Sequence, residues 1–499
     1  MDQQTAEASG STRVEATTTP HHSMMRNASF LLAGQAASAA LSLVLTAFLG
    51  RWLGVADFGI YYLLMAWSAF AYVVAEWGQC AYLLRETARR HEDSGKLLSG
   101  ALAFRILAGL VAALATAIFV KLIGYGDRIE FLAPLAIMCG LPLALSQTYG
   151  YIFRGYSRMD LDAAVIVAGK AFTATVTIPA LILGGSLLTV ILLQAAGGLG
   201  ALFVAIFLAR RIQLTARWPE FGTLHELAKG GAPIALFFVV IAVQPFIDAL
   251  VLAALVPPAV VGWYGAARNI MMLICAPAMI LGTASFPELA RVADSTSDLR
   301  RILRTSWRLL LGLGTLAGVG TFMFADLAVS IVYGRGDFEP AVAVLQVFAP
   351  VLPLLFIDVL LGNAIIAVGK TKEMALVKAV AVAMSTGLAF LLIPLCQVHF
   401  GNGGIGLALA FGSTEVLMLV AFLWLLPRGV IDLSGLLDVI RAAAAAVGTM
   451  ALLWALPSMT AWLTVPVCVG AFIVLTLATG LVRATELAAF ANLRHGAQS

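Results

Sequence analysis

Long runs without a single charge dominate this chain. Residues 27–50 and 131–153 carry none, and residues 171–209 carry none over 39 positions. About 20 mainly apolar residues are enough for a helix to cross a bilayer. Hydrocarbon offers no water to unpaired peptide groups, so a spanning segment must satisfy its backbone internally, as a helix does. The run at 171–209 is too long for one crossing and is interrupted by Gly184-Gly185-Ser186, so it reads as two helices. Residues 442–482 read the same way, broken near Pro457-Ser458. Composition agrees: 61% of the 499 residues are hydrophobic and 12% are charged, where soluble domains have about 45–50% and 25%. The fold class is an all-α polytopic membrane protein.

Fourteen transmembrane helices are expected, near 27–50, 58–83, 97–122, 131–153, 162–183, 187–209, 230–256, 260–284, 303–333, 341–368, 374–396, 404–426, 437–457 and 461–482. An even count puts both termini on one side. Positive charge accumulates in cytoplasmic loops. Here 24 of the 31 Lys and Arg residues fall in the termini and the alternate loops on their side. The opposite loops hold only Arg51, Lys121, Arg128 and Arg335, and Arg105, Lys170 and Arg268 fall within helices. Both termini are therefore expected in the cytoplasm.

An internal repeat organises the helices. Sliding the chain by 203 residues brings Leu49 onto Leu252, Leu53 onto Val256, Gly59 onto Gly262 and Tyr61 onto Tyr264. One residue of slippage later, Glu86-Thr87-Ala88-Arg89 meets Glu288-Leu289-Ala290-Arg291. The spacing covers six helices, so both copies insert in the same direction, which is the parallel-repeat arrangement. The expected division is a disordered cytoplasmic tail (1–25), an N-lobe of helices 1–6 (26–209), a cytoplasmic linker (210–229), a C-lobe of helices 7–12 (230–427), two added helices (428–483) and a cytoplasmic tail (484–499). Residues 1–25 lack the basic start of a signal peptide, with Asp2, Glu7 and Glu15 in its place.

No cofactor, metal or enzyme activity is expected. Cys80, Cys139, Cys275, Cys396 and Cys468 are scattered through apolar segments, with no CxxC or Cys/His cluster. A phosphate-binding loop of the GxxxxGK[ST] type is missing, and all six histidines fall outside the expected helices. Nothing points to nucleic acid.

The segment FLGRWLGVADFGIYYLLMAWSAFAYVVAEWGQCAYLLRETARR (48–90) carries Leu53-Gly54, Asp57, Gly59-Ile60-Tyr61 and Glu76-Trp77-Gly78. The second half carries Ile247-Asp248, Gly262-Trp263-Tyr264-Gly265-Ala266-Ala267-Arg268 and Phe286-Pro287-Glu288, followed by IVYGRGDFEPAVAVLQVFAP (331–350). In this order the motifs resemble the polysaccharide transporter (oligosaccharide flippase) family of the multidrug/oligosaccharidyl-lipid/polysaccharide exporter superfamily. The family more often has Asp-Leu-Gly where this chain has Glu76-Trp77-Gly78. The resemblance implies two six-helix lobes around a central cavity that opens alternately to each side. It implies as cargo a polyprenyl-pyrophosphate-linked oligosaccharide, carried across the bacterial inner membrane for O-antigen, capsule or exopolysaccharide assembly. Membrane lipid, a polysaccharide polymerase and glycosyltransferases are the implied partners. Two alternatives stand beside it: a cation-coupled multidrug extruder of the same superfamily, and a peptidoglycan lipid-precursor flippase.

Ionisable groups inside the membrane are the functional candidates, because they are costly there. Arg268, Lys170 and Arg105 are expected to contact the pyrophosphate, since a guanidinium binds phosphate oxygens through two parallel hydrogen bonds. Snorkelling to the interface is the plainer reading for Arg105 and Lys170. Asp248, Glu76, Asp358 and Glu415 are the candidate coupling or cavity acids, with structural hydrogen bonding as their plainer role. Asp248 lies nine residues before the turn at Pro257-Pro258 and Arg268 ten after it. At about 1.5 Å per residue, these two sit at equal depth on adjacent helices, either as a buried ion pair or as a pair that opens to phosphate. Pro142, Pro245 and Pro353 are the candidate hinges.

Overall fold

The computed structural model describes residues 20–215, 218–427, 433–455 and 461–481. Among these the chain forms seventeen α-helices and no strand. In order they are α1 (Pro20–Leu53), α2 (Val55–Glu76), α3 (Gln79–Arg89), α4 (Ser94–Ile123), α5 (Asp127–Gly155), α6 (Met159–Ile182), α7 (Leu187–Arg211), α8 (Phe221–Leu255) and α9 (Pro258–Arg291). There follow α10 (Thr296–Met323), α11 (Ala325–Tyr333), α12 (Ala341–Phe348), α13 (Leu352–Ala367), α14 (Thr371–Phe400), α15 (Gly403–Leu425), α16 (Leu433–Ala455) and α17 (Ala461–Ala478). Twelve segments are long and apolar enough to span a membrane, with α12 and α13 acting as one, and α10 with α11 forms a thirteenth if that bent pair is one span. The shorter apolar helix α17 completes the set expected from sequence.

Boundaries depart from expectation where local chemistry overrides hydropathy. The second expected helix, 58–83, is broken: Trp77 and Gly78 both adopt left-handed backbone (φ 51° and 68°). Trp77 is held there by its indole N–H, which donates to the Ala228 carbonyl at 3.0 Å. The ninth, 303–333, bends by 73° at Phe324. Between α12 and α13 lies a 3-10 turn, Ala349–Val351, where Pro350 supplies no backbone donor. Pro353 stands in the first turn of α13, where a missing N–H costs nothing; the break precedes it, so it is not a mid-helix hinge. Pro142 and Pro245 lie inside α5 and α8.

α1 begins at Pro20, inside the stretch expected as a tail; residues 1–19 and 482–499 lie outside the described residues. α8 starts at Phe221, so the interlobe connection is shorter than the expected 210–229. Thr223 and Leu227 bury this extension of α8 against Gly100 of α4. Longer helices also take in residues expected outside them: His225 lies in α8 and His399 in α14, where its ring pairs with the Leu395 carbonyl.

The repeat is visible in the packing. The first helix of each half packs on the fifth, α1 on α6 and α8 on α14. Between the halves, α2 lies against α9 with almost no side chain between the backbones. A Cβ on Gly59 would strike the Pro258 carbonyl, and one on Gly262 would strike the Val55 carbonyl. Val55 and Pro258, like Gly59 and Gly262, are partners in the 203-residue repeat, so each contact is the image of the other. Tyr62 lies against Gly265, and its ring meets Tyr264 edge-on at 6.2 Å. This seam sits at the arginine-poor end of the bundle, where Arg128 also grips Asp57 through two bonds of 2.7 and 2.8 Å.

At the opposite, arginine-rich end the halves meet a second time. Gly78, at the α2–α3 break, and Gly231 of α8 approach each other so closely that a Cβ on either would meet backbone. Beside them Arg90 bridges Glu86 of α3 (2.6 Å) and Glu226 of α8 (3.0 Å), and the Tyr82 hydroxyl donates to Glu226 at 2.7 Å. The added helix α16 is anchored by Arg308 of α10. Its guanidinium binds the buried Asp438 carboxylate at 3.0 and 3.2 Å, and Arg441 adds a third contact at 3.2 Å.

Two predictions follow from these contacts. Gly59→Leu and Gly262→Leu each force the seam apart and cost about 1–3 kcal/mol by overpacking. Gly387→Ala, at a helical glycine with open space around it, leaves stability unchanged or raises it by about 0.5–1 kcal/mol. Thermal unfolding of the detergent-solubilised protein reads both. The second concerns Glu86, whose carboxyl is held below the ordinary glutamate range by the Arg90 hydrogen bond, against burial. A lowered folded-state value makes this stabilisation fully present above the unfolded pKa of about 4.3. It is lost as pH falls through the folded value. Glu86→Gln thus unfolds at a lower temperature than the parent at pH 7, and the two midpoints converge below about pH 4.

Candidate functional site

The intramembrane charges sort into two clusters. In the C-terminal half, Arg268 of α9 reaches towards α15, its guanidinium lying 4.2 Å from the centre of the Phe411 ring and 5.9 Å from that of Phe348. One terminal nitrogen, Nη1, is buried with no hydrogen-bond partner. Asp248, Tyr62, Tyr264 and Glu415 lie within electrostatic reach of it. Asp248 and Arg268 do sit near each other, as equal depth on adjacent helices requires, yet no ion pair joins them. Asp248 keeps Oδ2 buried and unpartnered, and Glu415 of α15 does the same with Oε2. Asp358 of α13 is paired with Lys378 of α14 at 3.7 Å and retains an unpartnered Oδ1. Lys378 in turn lies 5.6 Å from the Phe422 ring.

The charges of the N-terminal cluster are paired with one another. Arg105 of α4, 3% exposed, pairs with Glu76 at 3.3 Å and donates to the Ala144 carbonyl. Tyr151 of α5 donates to Glu76 at 3.3 Å, and its ring lies 5.6 Å from the Arg105 guanidinium and 5.7 Å from that of Arg154. Arg154 is bound through Nε to Asp162 of α6 at 2.6 Å. Gly150 leaves the space for that carboxylate, since a Cβ there would strike Asp162 Oδ1. Lys170 is half-buried on α6 and makes no hydrogen bond or ion pair among the described residues. Arg105, Lys170 and Arg268 are thus not gathered into one site: Arg105 is neutralised, whereas Arg268 and Lys170 are not ion-paired.

Sequence reasoning missed Lys378: it lies one turn inside the expected helix 374–396 but was counted with the cytoplasmic loop beside it. α14 starts at Thr371, which carries Lys378 two turns into the bundle. It also missed Tyr151, whose role depends on groups on α2 and α4 that only tertiary packing brings together. Gln194 bonds across helices, its side-chain amide donating to the Tyr61 hydroxyl at 3.2 Å.

Residues 24–293 match the family model described as polysaccharide biosynthesis protein, more than half of the chain. The chain belongs to that family. Residues 233–391 also match the MatE model, which places this polysaccharide biosynthesis family member in the multidrug/oligosaccharidyl-lipid/polysaccharide exporter superfamily of transporters. Among solved structures it is similar to the lipid II flippase MurJ in an inward closed conformation. The TM-score is 0.72 at 14% identity, covering 90% of this chain and 98% of that one. It is similar also to an inward-facing multidrug resistance transporter of the MATE family (0.63, 14%, 82% and 96%) and to the eukaryotic MATE transporter AtDTX14 (0.58, 14%, 81% and 96%). At these identities the likeness shows the fold. No curated protein matches the sequence significantly.

The two clusters respond differently to loss of a charge. Asp162→Asn weakens a tight pair whose carboxylate is buried and destabilises this family member by about 1–3 kcal/mol. Asp248→Asn, which removes a carboxylate with no ion pair, changes stability by less than about 1 kcal/mol. The unfolding midpoints of the two purified variants, compared with the parent, decide between these roles.

Proposed function

We propose that the chain is a flippase that moves a polyprenyl-pyrophosphate-linked oligosaccharide across the bacterial inner membrane by alternating access. Its place is in O-antigen, capsule or exopolysaccharide assembly, between the glycosyltransferases that build the lipid-linked sugar and the polymerase that consumes it. The observation that carries this reading is Arg268, a membrane-embedded guanidinium with no ion pair and an unpartnered Nη1. Charge at this depth is expensive unless a partner arrives, and a pyrophosphate supplies acceptors in the geometry that a guanidinium fits. Lys170 is the second unpaired cation. Arg105 joins them when a phosphate displaces Glu76 from its 3.3 Å contact.

The bias of positive charge sets the arginine-rich end, and both termini, in the cytoplasm. The Gly59–Gly262 seam is then the outer gate and the Gly78–Gly231 contact the inner one, with the N-lobe and C-lobe as the bodies that rock. Asp248, Asp358, Glu415 and Glu76 are the groups that take up a coupling proton or sodium ion. The buried oxygens of Asp248, Asp358 and Glu415 without partners favour one other reading, a cation-coupled multidrug extruder. The fold shared with a lipid II flippase keeps a peptidoglycan precursor in view as cargo.

Deletion of the gene followed by leaflet-resolved lipid analysis tests this. Lipid-linked oligosaccharide is expected to accumulate on the cytoplasmic leaflet. The parent gene restores its export. Arg268→Ala, at equal protein level, restores about tenfold less, the scale of one lost charge-assisted hydrogen bond. Normal sugar-lipid distribution with heightened toxicity of cationic dyes would replace the flippase reading with drug extrusion. Accumulation of the peptidoglycan precursor alone would reassign the cargo.

A further inference from the structure

A cavity of about 360 Å³ opens where α2 breaks into α3, walled by α5 and by Phe238 of α8. It lies at the ends of its helices: Glu76 is the last residue of α2, and Arg154 is next to last in α5. That is the depth at which lipid headgroups sit, whichever way the protein is oriented. Leu84 and Phe238, on opposite sides of the cavity, are both exposed to the surroundings. Such a rim suits the start of an acyl chain.

The polar walls have a particular charge pattern. Glu76 and Arg154 both line the cavity, and Tyr151 touches both. Each is held from behind by one part of its side chain. The contacts of Arg105 and Tyr151 to Glu76 fall on Oε2, and the bond from Arg154 to Asp162 uses Nε. The Cys80 thiol, which also lines the cavity, meets the Glu76 carboxyl as well; the remaining capacity of Glu76 Oε1 and the two terminal amino groups of Arg154 face a ligand. Two cations and two carboxylates cancel, so a plain anion gains little on entering. A molecule carrying both a phosphate and a primary ammonium is matched at both ends, the phosphate by the Arg154 fork and the ammonium by Glu76. We infer that this cavity binds the headgroup of a zwitterionic aminophospholipid, a bilayer lipid that wedges into the seam between α2–α3 and α8. The site is separate from the Arg268 cluster, though it shares Glu76 with the acids proposed above to take up a coupling ion.

The test uses the full-length protein, purified in detergent and depleted of lipid. Its thermal unfolding is followed while phosphatidylethanolamine, phosphatidylcholine or phosphatidylglycerol with identical acyl chains is added. Phosphatidylethanolamine is expected to raise the midpoint at about tenfold lower concentration than the other two. Phosphatidylcholine lacks the N–H donors for Glu76 and phosphatidylglycerol lacks the cation, and one charge-assisted hydrogen bond is worth that factor. Glu76→Gln is expected to erase the difference between the ethanolamine and choline lipids. Because Glu76 also pairs with Arg105, that variant alone risks misfolding. Ala81→Phe fills the cavity and removes no member of either ion pair; it is expected to keep the lipid-free midpoint and lose the lipid response. A preference for phosphatidylglycerol would overturn the inference in favour of an anion site. An undiminished response in Ala81→Phe, or no response in the parent, would show that no headgroup binds here.

Discussion

Lipid removes the force that assembles a soluble core, because a leucine gains nothing by leaving hydrocarbon for another leucine. What remains is close contact between surfaces that fit, and in this protein the closest fit is backbone on backbone. The two halves meet where Gly59 faces the Pro258 carbonyl and Gly262 faces that of Val55. Without side chains at those points, α2 and α9 approach near enough for dispersion between their main chains to count. Neighbouring aromatic contacts, Tyr62 on Tyr264 and Phe58 on Tyr333, pack around this approach. The gates assigned above, and the positions of Arg268 and Tyr264 on the same helix, inherit their geometry from it.

Charge is distributed unevenly between the halves. Arg105 with Glu76 and Arg154 with Asp162 form ion pairs in the N-terminal half, where Lys170 stands apart from them. In the C-terminal half, Arg268, Asp248, Asp358 and Glu415 all retain a buried atom without a partner. A satisfied network rigidifies its surroundings, whereas an unsatisfied one keeps free energy in reserve for a ligand. The division fits one half acting as a firm wall and the other as the responsive side.

Much of this was legible in the sequence, for reasons of period and length. Runs without charge gave the helices, and the 203-residue spacing gave the repeat, while the contact of the halves at Gly59 and Gly262 came from the packing. The break at Trp77 was not legible from hydropathy, because a left-handed tryptophan is tolerated only with its indole tied to Ala228, 151 residues away. Lys378 and Arg308 lie within two turns of the expected helix starts at 374 and 303 and were counted with the neighbouring loops, although both point into the bundle. Arg308 makes sense only beside Asp438, which lies 130 residues on. Pairs of this kind depend on tertiary neighbours and leave no local pattern. Equal depth placed Asp248 near Arg268 but could not decide whether they would bond.

The mirrored contacts of Val55 with Gly262 and of Pro258 with Gly59 have a consequence in terms of symmetry. A surface whose two members are copies of each other is isologous, the kind found in two-fold dimers. Such a surface is fully used by one pair and leaves no matching face for a third unit. A single half of this chain would therefore carry everything needed to recognise a second half. Joining the two in one polypeptide fixes their number and frees each copy to diverge.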